Sequence, residues 1–536
     1  MEKLICISIF TVLIFTLSSF TIQNAHADLF TAVRSGDWND PNTWGGTVPG
    51  DSDDKKILGF TVKISNSITN SGEITNGGTI TITGTITNSG NMKNYGAITN
   101  SGTINNIGTF DNGNSITNSG TITNSAKMTN HGYIDNSHSI NNTGTIDNYK
   151  KIDNKSLGII DNRGIINNIV TNTDNSTFTN SSTITNSGTI NNDPLNSIAN
   201  FGTIYNSGMI DNSGIISNLR TAIRSFGTIT NTGTIKNSGT LENSGTVNNR
   251  LGTINNTSTI TNFRSINNYA SIVNSGTITS SYIINNRSSG TISNDGTITN
   301  SRSISNSGTL YNAVSGTITS SRTITNMGTI TNLGTADNSG AINNSGTINS
   351  SGKITNSGSM DNSGTITNNG IVTSTYLIYN LGTITNLGTT DNSGTITNTD
   401  SGVINNKSSG RINNRFTLDN SGLIQNSGTL DNPNTLINSG NINNKQGAEL
   451  LNSGAIGNTV SGNITNHGHT DNAGDISNSG NIYSDSTFDN SGPIKNWGAI
   501  DNSSIINNSG TIDNYCTATI SNPDLINGNP INAVPC

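Results

Sequence analysis

An apolar residue returns at every sixth position from Ile68 to Ile152, fifteen times without a slip, with Met92, Phe110 and Met128 standing in for Ile. A second run goes from Ile324 to Ile396, changing type but not phase at Ala336, Val372 and Thr390, and the phase carries on to Ile512. A period of six excludes an amphipathic helix, whose apolar stripe needs spacings of three and four. It suits one short strand followed by one corner.

The commonest unit is Gly120-Thr121-Ile122-Thr123-Asn124-Ser125. In an extended segment alternate side chains face the same way, so Gly120, Ile122 and Asn124 are expected inward and Thr121, Thr123 and Ser125 outward. Thr and Ile are good strand residues, and Asn-Ser-Gly is turn chemistry. The spacing lengthens to eight at Ile284→Ile292, Leu310→Ile318, Ile396→Ile404, Ile404→Ile412 and Ile456→Ile464. Each time the extra residues follow the Asn, as in Asn286-Arg287-Ser288-Ser289-Gly290, so insertions fall at a corner and spare the strand.

One hexad cannot stand alone. Burying an Ile gains about 1.5–3 kcal/mol, whereas ordering six residues costs about 1–2 kcal/mol each. The deficit closes when coils stack, with strands paired above and below, Ile on Ile, and inward Asn side chains bonded along the stack. The fold expected is all-β: a single elongated parallel β-solenoid. The pattern resembles the hexapeptide repeat of left-handed β-helices, which implies three hexads, or 18 residues, per coil. Its repeated Asn two after the Ile resembles instead the asparagine ladders of right-handed β-helices and of repeat-rich bacterial adhesins, and handedness stays open. With strands about 4.8 Å apart, the rod is expected to be roughly 120 Å long at 18 residues per coil and about 180 Å at 12.

Residues 1–27 read as a secretory signal peptide: Met1–Lys3, an apolar stretch from Leu4 to Phe20, and Ala25-His26-Ala27 as the cleavage site. Residues 28–62 read as an N-terminal cap. The stretch Trp38-Asn39-Asp40-Pro41-Asn42-Thr43-Trp44-Gly45 with Val48-Pro49 resembles the opening of G8-like segments, found where β-helices of exported surface proteins begin. That resemblance implies that Trp38 and Trp44 cover the first coil, whose open edge otherwise invites association. Residues 63–514 are the hexad solenoid. Residues 515–536 lose the hexad, gain Pro523, Pro530 and Pro535, and are expected to cover the last coil, closed by a Cys516–Cys536 disulfide as fits an even cysteine pair in an exported chain.

Signs of chemistry are few. Only 11% of residues are charged, against about 25% in ordinary domains, and a net charge of −7 removes the electrostatic footprint of a nucleic-acid binder. The only metal candidate by charge is Asp51, Asp53 and Asp54, as a calcium site or a solvated turn; His467 and His469 form a His-x-His at an expected corner. Outward Asp residues at hexad spacing are expected to meet across coils, as in carbohydrate-cleaving β-helices, but no long loops cover them. No catalytic residue and no cofactor is expected, and the chain does not read as an enzyme. Sequons such as Asn141-Asn142-Thr143, Asn343-Asn344-Ser345 and Asn463-Ile464-Thr465 are plentiful.

The function expected is that of an exported structural or adhesive surface protein, secreted and retained on the cell or released. Its Thr, Asn, Ser and Asp faces would make weak multivalent contacts with envelope or extracellular glycans or neighbouring surface proteins. It would not bind nucleic acid, and no membrane span would remain after signal cleavage. The alternative is ice binding. Thr-Ile-Thr places two outward Thr about 6.6 Å apart along a strand, on coils about 4.8 Å apart, which resembles the Thr-x-Thr arrays of β-solenoid antifreeze proteins. Against it, successive hexads present Thr121/Thr123, Lys127/Thr129, Tyr133/Asp135, Ser139/Asn141 and Thr145/Asp147, in no twofold or threefold order. A polysaccharide-active enzyme is a third reading.

Overall fold

The computed structural model describes residues 27–171, 175–218 and 228–535; all but the last residue of the signal peptide expected at 1–27, and Cys536, lie outside them. The chain winds through three parallel sheets in strict rotation. Sheet A contains Asp54–Ile57, Glu73–Asn76 and Asn91–Asn94, sheet B contains Thr61–Ile64, Thr79–Ile82 and Ala97–Asn100, and sheet C contains Ser67–Asn70, Thr85–Asn88 and Thr103–Asn106. Each strand pairs with the third strand before and after it, so Ile104 lies beside Ile86 and Ile122. The step is 18 residues per coil, and the fold is a parallel β-solenoid. Sheets A and B hold 26 strands each, which gives a rod roughly 120 Å long at about 4.8 Å per strand.

The strand Thr121–Asn124 shows why the hexad does this. Ile122 and Asn124 are buried while Thr121 and Thr123 stand half out. Ile columns of the three sheets meet on the axis and form one continuous apolar core from Trp38 to Ile512. At the corner, a Cβ on Gly120 would stand 2.1 Å from the carbonyl oxygen of Gly102, so a coil in this corner conformation rests on the next only without a side chain there. The eight-residue spacings form tight turns, as at Arg287–Gly290, where Gly290 N–H donates to the Arg287 carbonyl over 2.7 Å. The strands on either side keep register.

Trp38 and Trp44 are buried at the N-terminal end of that core, edge to face with centroids 5.0 Å apart, and Trp44 Nε1 donates to the Trp38 carbonyl over 2.8 Å. The segment does more than cover: Leu29–Thr31 pairs with Asp54–Lys56, and Gly36–Asp37 with Val62–Lys63, so it begins sheets A and B itself. The C-terminal segment likewise winds a further coil in place of folding over the last one. Thr519–Ser521, Ile526–Gly528 and Ile531–Val534 extend the three sheets. Its prolines lie at 523, 530 and 535, between or after those strands, where no ladder donor is needed. Cys516 is disulfide-bonded; its expected partner Cys536 lies outside the described residues.

Candidate functional site

What this surface presents is set by what holds the interior. Most inward Asn side chains donate to the Asn of the next coil. In sheet C the ladder runs unbroken from Asn70 through Asn124 to Asn514, every Nδ2–Oδ1 distance between 2.7 and 2.9 Å. The second amide hydrogen serves the backbone: Asn124 Nδ2 also donates to the Thr145 carbonyl over 3.0 Å. The buried amides of sheet C are thereby satisfied, whereas in sheet B Asn100 Oδ1, Asn300 Nδ2 and Asn414 Nδ2 have no partner.

The outward side chains tile. Because neighbours in a sheet lie three hexads apart, the order of consecutive hexads says nothing about a face, and the register objection to a Thr array does not hold everywhere. In sheet B, Thr259, Thr277, Thr297 and Thr317 stand in one column and Thr261, Thr279, Thr299 and Thr319 in the next. Glu242 precedes the second column and Asp337 follows it. The result is a four-coil, two-column Thr lattice of about 4.8 by 6.6 Å, all eight side chains half-exposed.

The acidic run of the N-terminus is engaged in local hydrogen bonds at the surface. Asp53 accepts from Gly50 N–H (2.7 Å) and Asp28 N–H (3.3 Å), Asp54 from Glu73 N–H (2.9 Å), and Asp51 from the Thr69 hydroxyl. Beside them Lys55 is buried in the Ile column, next to Ile74, and its ammonium donates to the Asp51 carbonyl and to Asn70 Oδ1, each over 2.8 Å. Burial pushes the Lys55 ammonium below its ordinary range, opposed by the carboxylates of Asp53, Asp51 and Asp54. Among the described residues no three His, Cys, Asp or Glu side chains converge as a metal site. His467 and His469 do not share a target: His467 Nδ1 meets Asp485 at 2.8 Å and His469 Nε2 meets Asp489 at 2.9 Å.

Outward carboxylates do meet across coils, as Asp135 beside Asp153 and Asp471 beside Asp489. Burial pushes the Asp153 carboxyl up, but hydrogen bonds from Lys155 and Lys151 outweigh it and hold the group below its usual range. Asp489 is held low by Asn507 and then by His469. A general acid needs the opposite shift. The sequon residues Asn141, Asn343 and Asn463 are all outward, half-exposed side chains.

No protein family, curated protein or solved structure matches the chain. The geometry above is therefore the whole basis for a functional reading.

Proposed function

We propose that the chain is an exported structural or adhesive surface rod, delivered by a signal peptide at residues 1–27 and acting through repeated weak contacts with glycans or neighbouring surface proteins. The observation that carries this reading is the regular outward display: Thr, Asn, Ser and Asp recur on three faces at one coil step over roughly 120 Å, on a scaffold spanned by the buried sheet C Asn ladder. Weak contacts at fixed spacing gain by multivalency. The Asn ladder and the Trp38/Trp44 opening support the likeness to adhesin repeats with a G8-like start. The test is to fractionate expressing cells with an antibody to the chain. Protein held in the envelope, and released by salt, detergent or a glycan-cleaving enzyme, is the expected result; protein found only free in the medium overturns surface retention.

A second reading, ice binding, is favoured by the Thr259–Thr319 lattice. Its hydroxyl and methyl groups repeat in two dimensions, as binding to a crystalline face requires. Thermal hysteresis that is abolished in Thr279→Lys/Thr299→Lys supports this reading, and its absence in the parent chain removes it.

A further inference from the structure

Between Asn243 and Ala336 the chain carries five arginines, no lysine and a single acid, Asp295, against a net charge of −7 overall. The solenoid gathers these arginines around one face. Arg264, Arg302 and Arg322 stand at the corner between sheets B and C, one to a coil, with Tyr282 filling the coil between Arg264 and Arg302. Arg250 and Arg287 stand at the opposite corner, between sheets C and A, with Tyr269 between them. All are exposed. Arg302 lies over the Tyr282 ring, 4.5 Å from its centroid, and Arg287 over Tyr269 at 5.7 Å. Among the described residues Arg250, Arg287, Arg302 and Arg322 form no ion pair.

The face between the two corners is free of acids and polar apart from the outward Ile283. Asn248, Asn267 and Asn285 form an external ladder on it, Asn267 donating to Asn248 over 2.9 Å and Asn285 to Asn267 over 2.8 Å, followed by Ser303, Ser305, Thr323 and Thr325. Asp295 lies at the third corner, between sheets A and B. Five residues separate Tyr282 from Arg287 across the face and four coil steps separate Arg250 from Arg322 along it, about 16 by 19 Å.

This corner departs from the repeat. Where most B–C corners carry Gly, four successive coils carry Arg264, Tyr282, Arg302 and Arg322. The buried ladder of sheet B fails at the same coils: Ser280 and Ser320 replace Asn, and Asn300 Nδ2 and Ser320 Oγ have no partner. A local rule broken without a packing gain is expected at a functional or strained site; the ladder also breaks at Ser374 and Asn414, so it is the arginines that distinguish these coils.

We infer that this face binds an anionic polysaccharide, an inference that rests on the surface-rod reading and names its ligand. Guanidinium forks suit carboxylate and sulfate geometry, and the cation–π contacts with Tyr282 and Tyr269 restrain Arg302 and Arg287. The amides and hydroxyls between them match sugar hydroxyls. Five cations spread over about 19 Å fit one charge per sugar ring better than duplex DNA, which carries one per about 1.7 Å.

The test measures binding of the full exported chain to polygalacturonate and dextran sulfate at two salt concentrations, with methyl-esterified polygalacturonate and a DNA oligomer as comparisons. Expected is binding to either acidic polymer that weakens with salt and falls at least tenfold in Arg287→Ala/Arg302→Ala/Arg322→Ala, with Arg163→Ala unchanged. Should the triple variant lose its β-sheet spectrum, Arg302→Gln alone decides, expected to weaken binding with the fold intact. Equal binding to the ester, tighter binding to DNA, no binding, or no loss in the variants overturns the inference. Envelope retention without polyanion binding overturns this inference alone, whereas polyanion binding by a chain found only in the medium overturns the surface reading alone.

Discussion

Lys55 Nζ donates to Asn70 Oδ1 over 2.8 Å, at the head of the sheet C ladder. Every amide in that ladder points its Nδ2 toward the C-terminal coil, so the group left over at the N-terminal end is an acceptor. The aligned amides act as peptide dipoles do in a helix, leaving partial negative charge at one end, and an ammonium sits on it. At the far end Asn514 Nδ2 donates to the Ala518 carbonyl over 2.9 Å. Sheet B shows the contrast: its ladder starts at Asn100, stacked against Ile82, and Asn100 Oδ1 has no partner.

Lys55→Met keeps the aliphatic stem against Ile74 and removes the donor. The expected loss is about 1–3 kcal/mol, the cost of leaving a buried acceptor unmet, confined to the first coils because a solenoid couples only neighbours. Hydrogen exchange should quicken around Asn70 and stay unchanged near Ile330. Lys55→Gln, which retains an N–H donor, should recover part of the protection.

Asn124→Ala removes an acceptor from Asn106 Nδ2 and a donor from Asn142 Oδ1. Asn106 Nδ2 keeps the Gly108 and Lys127 carbonyls, so Asn142 Oδ1 is the one orphaned buried group, and a loss of about 1–3 kcal/mol is predicted in denaturant unfolding. Ser320→Asn should act in the reverse sense. It lies between Asn300, whose Nδ2 is unpaired, and Asn338, whose Oδ1 is unpaired, so the new amide joins two ladder fragments. A raised melting temperature is expected, and a lowered one would mean that the Arg322 corner tolerates no Asn.

Thr470 occupies an inward Ile position between Leu450 and Phe488, and its buried hydroxyl has no partner. Thr470→Val keeps the shape and removes the unmet group, so stability should rise by about 1–3 kcal/mol. Ile152→Ala, in the same column system, should cost about 2–5 kcal/mol through the cavity it leaves.

The hexad, its phase and the inward Gly-Ile-Asn set are legible in the sequence because strand alternation and stacking depend on local spacing alone. The Thr259–Thr319 lattice is not visible in consecutive hexads, since its members are brought together only by the 18-residue coil. Lys55 reads as one more charge in an acidic cap, yet its neighbour in register is Ile74, and long-range pairing alone reveals that. The extra C-terminal coil hides because Ile520, Ile526 and Ile531 keep the column at irregular spacing. The arginine columns were legible in one respect, the loss of Gly at 264, 282, 302 and 322, but which face they border depends on the coil.

Glu73 and Lys93 are neighbours on sheet A, outward and about one-third exposed, with Lys93 Nζ 2.7 Å from Glu73 Oε2. The hydrogen bond from Lys93 and then that from Thr75 hold the Glu73 carboxyl below its ordinary range. A carboxyl lowered on folding stabilises the fold above its unfolded value, and that contribution disappears as pH falls through the folded value. Protection of the N-terminal coils should therefore decline on acidification through the carboxylate range. Solvent and salt screen the pair, so the effect should be larger at low ionic strength. Glu73→Gln should flatten this acid limb while leaving protection at neutral pH slightly reduced; an unchanged limb would assign the decline to other N-terminal carboxylates, with Asp40 next to be tested, since hydrogen bonds from Asn42 hold it low.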